Sequence, residues 1–239
     1  MTSSLPTCCP DLKSDWPLPQ ALKGVVLTSA HFDPGQLLPE DWQRCQIDPP
    51  ASIQRSVAKR QTEFLAGRLC AREALRRLDG HAYVPAIGED RAPVWPAGIC
   101  GSITHSTGWA AAIVAQQAHW RGLGLDAEHL LDPERARRLA AEILTAKELT
   151  RLHNLPAEQI ALCVTLTFSI KEALFKALYP LVGKRFYFED AHVLGWSADG
   201  QVRLGLLCDL SEEWHHGKQL QGQFGLHNDH LLSLVAIAR

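Results

Sequence analysis

The chain has 239 residues, of which 46% are hydrophobic and 21% charged, and its formal net charge at pH 7 is −2. These values are typical of a soluble globular protein with one large domain or two small ones. The near-neutral charge argues against a nucleic-acid-binding protein, and the longest apolar runs, residues 109–115 and 234–238, are too short to span a membrane. Because residues 1–20 lack a signal-peptide core, we expect a cytoplasmic protein.

The first half of the chain is predicted to contain one long basic helix. Residues 1–20 read as a loose arm, and residues 24–29 as a short strand. Residues 57–78 carry apolar side chains at helical spacing, and Asp79-Gly80 follows as a stop signal. The polar positions of this helix form either a solvated face or a surface for an anion. They are Lys59, Arg60, Arg68, Arg72, Arg76 and Arg77.

A run of small, hydroxyl and histidine residues comes next, at residues 101–106, before an apolar strand over 109–115. Such a run at the end of a strand can present backbone donors and the imidazole of His105 to a phosphate. The alternative is a histidine that is merely solvated in a turn. The seven cysteines show no Cys-x-x-Cys spacing, so we expect reduced, structural thiols and no zinc ribbon.

The stretch Gly122-Leu-Gly-Leu-Asp-Ala-Glu128 alternates apolar residues with glycines and acids, which predicts a strand. Asp126 and Glu128 then project to the same side of the strand and can converge on one hard cation. The two glycines leave room for something bulky beside them. The alternative is a pair of solvated acids.

The second half of the chain is predicted to begin with helices and to end with short strands. Asp132-Pro133-Glu134 is a helix start, with the helix running to about residue 146. Further helices are expected over 146–153 and from Pro156 to Tyr179, with Pro180 ending the last one. The short strands are expected at 186–188, 192–196, 202–207, 219–226 and 231–238.

The segment Phe168–Lys176 supplies further charged groups. On a helix, Glu172 and Lys176 share one face at spacing i, i+4. Glu172 can serve as a third carboxylate for the metal, and Lys176 as a cation for a phosphate or for orienting Glu172. The alternative is a surface ion pair of little energetic weight.

A faint internal repeat suggests two similar halves. Residues 72–77 and 171–176 share a Glu-Ala-Leu core between basic residues, and each helix is followed by an apolar strand. We interpret this as two similar halves that face each other across a ligand cleft.

Three segments in this order, 101–106, 122–128 and 168–176, resemble the signature motifs of the 4′-phosphopantetheinyl transferases. Their spacing resembles that of the large, two-lobed type. Residues 60–68 and 91–96 look like the branch that includes the enterobactin synthetase component D enzymes. The resemblance implies an α/β (α+β) fold of two pseudo-twofold-related lobes, residues 1–119 and 120–239. Each lobe would pack a small, mostly antiparallel sheet against a long helix, with the active site in the cleft between them.

The implied activity is transfer of the phosphopantetheine arm of coenzyme A to a serine of an apo acyl, peptidyl or aryl carrier protein, with release of 3′,5′-ADP. Such carriers serve fatty-acid, polyketide and nonribosomal peptide synthesis, siderophores included. By resemblance, Mg²⁺ would be bound by Asp126, Glu128 and Glu172, and Glu172 would also accept the serine proton. Lys176 would neutralise the phosphate or hold Glu172. The residues expected to bind coenzyme A are Lys59, Arg60, Arg91, Thr104, His105 and Lys176.

The carrier partner of such enzymes is acidic, and we expect a transient complex with a monomeric transferase and no nucleic-acid or membrane partner. A complementary surface is offered by basic residues of the 135–151 region, although acids dilute its charge. They are Arg135, Arg137, Arg138, Lys147 and Arg151.

Two other functions stay open on the sequence alone. A metal-dependent phosphohydrolase could use the same three carboxylates with water in place of serine. A non-enzymatic polyanion-binding module could be built on the arginine-rich helix, although net charge and a lack of interleaved aromatics disfavour it. A dinucleotide-binding motif is excluded, because Gly122-x-Gly124 lacks a third glycine and leads into acids.

Overall fold

The computed structural model describes residues 5–239 and divides into two compact units. The first unit contains the chain up to Trp16 together with Leu22–His119. The second unit contains Pro17–Ala21 and Trp120–Arg239. In the part of the chain that the structure describes, every helix is too short or too polar to cross a membrane.

The first unit packs one long helix on a three-stranded antiparallel sheet of order β1-β5-β4. A two-stranded hairpin, β2-β3, accompanies the sheet, and a 3-10 turn over Pro34–Gln36 follows β1. The elements are β1 (Val25–His31), α1 (Asp41–Cys45), α2 (Ala51–Gln54), α3 (Ala58–Asp79), β2 (Ala86–Ile87), β3 (Pro93–Val94), β4 (Ile99–Ser106) and β5 (Trp109–Gln116).

Helix α3 confirms the prediction for residues 57–78 to within one residue at each end. It ends at Gly80, whose φ of 86° lies in the left-handed region that favours glycine at a helix C-terminus. Its apolar stripe, which includes Leu65 and Leu69, packs against β5 residues such as Ala110 and forms the core of this unit.

The prediction of a loose N-terminal arm is wrong for residues 5–20. Cys8 and Cys9 are fully buried in the core of the first unit, and Lys13 exchanges backbone hydrogen bonds with Ser29 of β1. A free thiol behaves as a small apolar group, so this segment has apolar surface to bury even though it is rich in proline and polar residues. All seven cysteines are free thiols, and burial raises the pKa of Cys9 to about 12.

The second unit packs three helices with a five-stranded antiparallel sheet of order β6-β10-β9-β8-β7. A 3-10 turn over Phe188–Asp190 precedes β7. The elements are β6 (Trp120–His129), α4 (Pro133–Ile143), α5 (Ala146–His153), α6 (Ala157–Val182), β7 (Ala191–Trp196), β8 (Gln201–Leu206), β9 (Gln219–His227) and β10 (His230–Ala238).

The starts of α4 and α5 confirm what their capping residues predict. The Asp132 side chain accepts hydrogen bonds from the backbone of Glu134 and Arg135 at the start of α4. Thr145 and Glu148 form a reciprocal capping box at the start of α5, where two otherwise unpaired backbone groups are satisfied. These local hydrogen bonds explain why both boundaries can be read from the sequence.

Two predicted boundaries near residue 180 are wrong. Helix α6 continues through Pro180 to Val182 and ends at Gly183, whose φ is 65°. A proline has a helical φ and removes only one hydrogen bond, which a terminal turn tolerates more readily than a helix interior. Residues 186–188 form no strand, because the chain there leads into the 3-10 turn.

The fold prediction of a mixed α/β protein is confirmed in each unit, since α3 and α6 each pack on an antiparallel sheet. The pseudo-twofold relation and the cleft between the lobes stay predictions.

Glycines of β6 let helix α6 approach the strand very closely. A Cβ atom placed on Gly124 would lie 1.8 Å from the Ala173 carbonyl oxygen, and one on Gly122 would lie 2.3 Å from that of Ala177. The bulky neighbour that these glycines accommodate is therefore the backbone of α6. Since alternate residues of a strand share a face, Asp126 and Glu128 also point to the α6 side.

We predict that Gly124→Ala prevents close packing of α6 on β6 and destabilises the fold by at least about 3 kcal/mol, because backbone atoms cannot move aside as a side chain can. Gly195→Ala is the matched control, since a Cβ there has no atom within 4 Å. Thermal unfolding of both variants measures the difference. Equal melting temperatures for the two variants would contradict the close contact.

Candidate active site

The predicted site acids of the second unit lie on strand β6 and on helix α6, which packs against it. Asp126 is only 4% exposed, and its Oδ1 accepts a hydrogen bond of 2.7 Å from Lys176 Nζ, which also donates to the Leu125 carbonyl at 3.1 Å. The other oxygen of Asp126, Oδ2, is buried without a hydrogen-bond partner. We call Asp126, Glu128, Glu172 and Lys176 the acidic site.

The electrostatics of the acidic site show that its members are neighbours. Burial, together with the charges of Asp126 and Glu172, raises the pKa of Glu128 to about 7, while the charges of Lys176 and Arg135 act in the opposite direction. Burial also raises the pKa of Glu172, with Lys176 lowering it and Asp126 raising it. The single ammonium does not balance three carboxylates, so the site has an excess of negative charge in a partly desolvated place.

This arrangement fits a hard divalent cation. Carboxylate oxygens are the ligands that Mg²⁺ prefers, and both the unpartnered Asp126 Oδ2 and the raised pKa values mark groups that a cation would stabilise. Among residues 5–239, however, three His, Cys, Asp or Glu side chains nowhere converge as a closed metal site. Lys176 Nζ stands directly against Asp126 instead.

A buried ion pair fixes the helix that carries Glu172. Lys171 is 3% exposed, and its Nζ donates to Glu148 Oε2 at 2.8 Å, to the Ile143 carbonyl at 3.0 Å and to the Phe188 carbonyl at 2.9 Å. Glu148 also accepts from the backbone nitrogen of Val193. The pair thereby ties α6 to the end of α4, the start of α5 and the start of β7.

A cavity of about 200 Å³ opens beside Glu172. Its walls are largely aromatic, with Phe175, Phe186 and Phe188, and Arg185 adds a positive charge. The cavity can therefore accept an uncharged, partly apolar chain next to the carboxylate of Glu172.

The first unit contains a second charged cluster, which we call the basic site: Arg60, Glu63, Arg68 and His105. A Cβ on Gly67 would lie 2.9 Å from Ile103 Cγ2, so α3 approaches β4 closely here. His105 Nε2 accepts from Arg60 Nη1 at 2.8 Å, which places the ring proton on Nδ1, 3.7 Å from Glu63 Oε2.

Arg68 has a larger part in the basic site than its sequence context indicates. It is 6% exposed, its guanidinium stacks 4.6 Å from the Phe64 ring centroid, and its Nε is buried without a partner. Burial and the nearby charge of Arg60 lower its pKa to about 10. Two guanidinium groups and an imidazole on one side of α3 give a surface suited to an anion.

Three other predicted binding residues are not gathered into the basic site. Thr104 is buried, and as a strand neighbour it points to the face of β4 opposite His105. Lys59 is exposed in the first turn of α3, and Arg91 is exposed in the β2-β3 turn with φ of 72°. Their roles in binding stay predictions.

Lys171 and Glu148 were missed by sequence reasoning. The capping box at Thr145–Glu148 marks the helix start but does not reveal that the same carboxylate also pairs with a lysine 23 residues away. Lys171 is adjacent to Glu172 in sequence, but adjacent residues on a helix point in different directions. The role expected of Glu172 therefore gives no information about the partner of Lys171.

Comparison with known families matches both halves of the chain. Residues 48–115 match the model of the 4′-phosphopantetheinyl transferase N-terminal domain. Residues 122–235 match that of the 4′-phosphopantetheinyl transferase superfamily. Together these matches take in most of the chain, including the acidic site and the basic site.

Named relatives agree with these matches. Enterobactin synthase component D of Escherichia coli K12 is 40% identical over 176 residues, which cover 73% of this chain and 80% of that protein. The transferase Npt of Nocardia iowensis is 36% identical, over 64% of this chain and 67% of its own. PptT of Mycobacterium tuberculosis is 39% identical, over 59% and 61%.

This chain belongs to the 4′-phosphopantetheinyl transferase superfamily. The predicted resemblance is thus confirmed, and so is the predicted activity, phosphopantetheinyl transfer to carrier proteins. A holo-(acyl-carrier-protein) synthase from Bacillus anthracis, solved with CoA (3′,5′-ADP), has 19% identity and a TM-score of 0.34 over 50% of this chain and 97% of its own. That score is too low to bear on fold or function.

The raised pKa of Glu128 makes the stability of the transferase depend on pH. Between its ordinary value of 4.5 and about 7, Glu128 is protonated in the folded state and ionised in the unfolded state. The folded state then binds more protons, so stability falls as pH rises through this window. In a chelating buffer, we predict that Glu128→Gln raises the melting temperature at pH 8 and leaves it nearly unchanged at pH 4.

Glu134→Gln is the control for this change, because Glu134 is exposed on α4. Its melting curves should follow those of the parent at both pH values. If Glu128→Gln and the parent have the same melting temperature at pH 8, ionised Glu128 does not destabilise the folded state.

Removing one member of the buried ion pair leaves the other charge without a partner. We predict that Lys171→Met destabilises the transferase by about 3–5 kcal/mol. Arg138→Met removes one side of the exposed Arg138–Glu134 pair and should leave stability nearly unchanged. Thermal unfolding compares the two variants. A Lys171→Met protein as stable as Arg138→Met would show that the buried Lys171–Glu148 pair does not stabilise the fold.

Proposed function

We propose that this transferase uses coenzyme A and Mg²⁺ to attach the phosphopantetheine arm to a serine of an apo carrier protein, with release of 3′,5′-ADP. The observation that carries this proposal is the acidic site, in which Asp126 pairs with Lys176 and burial raises the pKa of both Glu128 and Glu172 nearby. A diphosphate can occupy such a place only if cations offset its charge.

Asp126, Glu128 and Glu172 would hold the metal ion, together with phosphate oxygens of the substrate. The bound ion supplies neutralisation of the diphosphate and stabilises charge on the departing phosphate. Oxygen ligands suit Mg²⁺, which usually takes one or two protein carboxylates and fills its other positions with water and substrate oxygens. Glu128 would take part directly or through water.

Glu172 is the proposed general base. The serine oxygen forms a bond to the phosphorus that bears the pantetheine arm, and the bond between this phosphorus and the bridging diphosphate oxygen breaks. The serine proton passes to the Glu172 carboxylate, directly or through a water molecule, and the leaving phosphate departs on 3′,5′-ADP. The raised pKa of Glu172 makes it a stronger base than an exposed glutamate.

Lys176 is proposed to hold the acids in place before substrate arrives and to face phosphate afterwards. Its Nζ bonds Asp126 and the Leu125 carbonyl, and it is more exposed than Asp126, which leaves it free to turn toward an incoming anion. The flexible four-carbon stem of lysine permits that change of partner.

The basic site is proposed to bind a phosphate of coenzyme A. Arg60 and His105 already contact each other, and Arg68 adds buried positive charge beside them. Lys59, Arg91 and Thr104 are proposed to contribute to the same substrate from their positions around this unit. The aromatic cavity beside Glu172 would receive the uncharged pantetheine arm.

The carrier protein is proposed to bind transiently to a monomeric, cytoplasmic transferase. Arg135, Arg137 and Arg138 are exposed on α4 and offer positive charge to an acidic partner. An interface of this kind gains mostly in association rate and needs only a small area.

Mass spectrometry of an apo carrier protein, incubated with the transferase, coenzyme A and Mg²⁺, tests this proposal. The parent should add one phosphopantetheine arm to the carrier. Asp126→Ala and Glu172→Ala should each lower the rate by at least about 10³-fold, because each removes a metal ligand and Glu172 is also the base. Glu142→Ala, which changes an exposed acid of α4, is the control and should keep full activity.

The outcomes separate the candidate functions. Consumption of coenzyme A without a carrier would favour the phosphohydrolase. Full transfer in the absence of divalent cations would contradict the metal role, and an active Glu172→Ala transferase would remove Glu172 from both of its roles.

A further inference from the structure

Three buried side-chain oxygens on β6, α6 and β10 have no hydrogen-bond partner. They are Oδ2 of Asp126, Oγ of Ser169 and Oγ of Ser233. Both serines are 0% exposed, so solvent does not compensate them. Buried polar groups are nearly always hydrogen-bonded, and the rare exceptions call for an explanation.

Ser233 lies beside Asp126 in the sheet. The two residues are direct partners in the register of β10 and β6. Val235, two residues further along β10, is opposite Gly124 and belongs to the core that α6 covers. Ser233 therefore shares the α6 face with Asp126, and directly opposed Cβ atoms on such strands are about 5 Å apart.

Ser169 lies across from Asp126 on the helix. Gly122 faces Ala177, and Gly124 faces Ala173. Moving two residues forward along β6 therefore corresponds to moving four residues backward along α6. Two strand residues and four helix residues both advance about 6–7 Å, which keeps the two elements in step. The next pair in this series is Asp126 and Ser169.

The Ser169 hydroxyl also departs from the usual habit of helical hydroxyls. Thr62, Thr150 and Thr165 each donate to the carbonyl four residues earlier. The Ser169 hydroxyl does not, although the same carbonyl position is available to it in α6. Its donor capacity is therefore left for another group on the β6 side of the helix.

We propose that Ser169 and Ser233 are positioning residues that hold Oδ2 of Asp126 through one water molecule, which binds both hydroxyl groups and donates to Oδ2. Lys176 fixes the other oxygen of the same carboxylate, so the plane of the carboxylate is set from both sides. A carboxylate oxygen has two lone pairs, and the bridging water uses one of those on Oδ2, which leaves the second for a cation. Only this last step rests on the proposed metal role.

A double-mutant cycle in chelating buffer tests the contact without relying on metal or activity. Ser233→Ala should lower the melting temperature by about 3 °C in the parent, because a water-mediated hydrogen bond to a buried carboxylate is lost. In an Asp126→Ala background the same change should leave the melting temperature unchanged or raise it. Ser169→Ala should behave in the same way.

Thr167→Val is the matched control, since it deletes a buried hydroxyl of the same helix without changing side-chain size. Its effect on the melting temperature should be equal in the parent and Asp126→Ala backgrounds. Equal effects of Ser233→Ala and Ser169→Ala in the two backgrounds would overturn the proposal.

Calorimetric titration with Mn²⁺, without coenzyme A or carrier, gives a second readout. Each serine variant should bind the ion about tenfold more weakly than the parent, whereas Thr167→Val should bind it normally. Unchanged affinity in both serine variants would also overturn the positioning role. If the parent itself binds no Mn²⁺, the proposed metal role fails, and the thermal cycle alone decides on the serines.

Discussion

The acidic site of the second unit depends on the direct contact between the backbone of α6 and strand β6. Gly122 and Gly124 lack the side chains that would hold the helix away, and Ala173 and Ala177 face them. Because the strand continues past these glycines, Asp126 comes within reach of Lys176, and the charge of Asp126 raises the pKa of both Glu128 and Glu172. The close packing of α6 on β6 thus sets the charge environment of the acidic site.

In the first unit, too, a glycine lets a helix approach a strand closely, but the charged side chains nearby are mostly basic. Gly67 brings α3 against Ile103 of β4, and two residues further along the strand His105 contacts Arg60. In the second unit the excess charge is negative and calls for a cation, whereas in the first it is positive and calls for an anion.

Much of this fold follows from local sequence signals. Asp132, Thr145 with Glu148, and Gly80 act on backbone groups within a turn, so they mark helix ends well, whereas the end predicted at Pro180 lies at Gly183 instead. The alternation from Gly122 to Glu128 likewise predicts a strand whose acids share one face. Motif order identified the family because three separate patterns had to agree.

Long-range partners could not be read in this way. The sequence shows neither that Glu148 pairs with Lys171 nor that Ser233 lies opposite Asp126, because these relations depend on how helices and strands pack in the fold. Cys8 and Cys9 are buried by tertiary packing although their segment looks like a loop. Thr104 was grouped with His105 by adjacency, whereas strand geometry separates them.

The most direct test of this account is a crystal structure of the transferase with coenzyme A and Mn²⁺, in which anomalous scattering locates the ion. The account predicts an ion bound to Asp126 and Glu172 and to a diphosphate oxygen of coenzyme A, with α6 still in contact with Gly124. An ion bound elsewhere, or a diphosphate that lies away from Asp126 and Glu172, would contradict it.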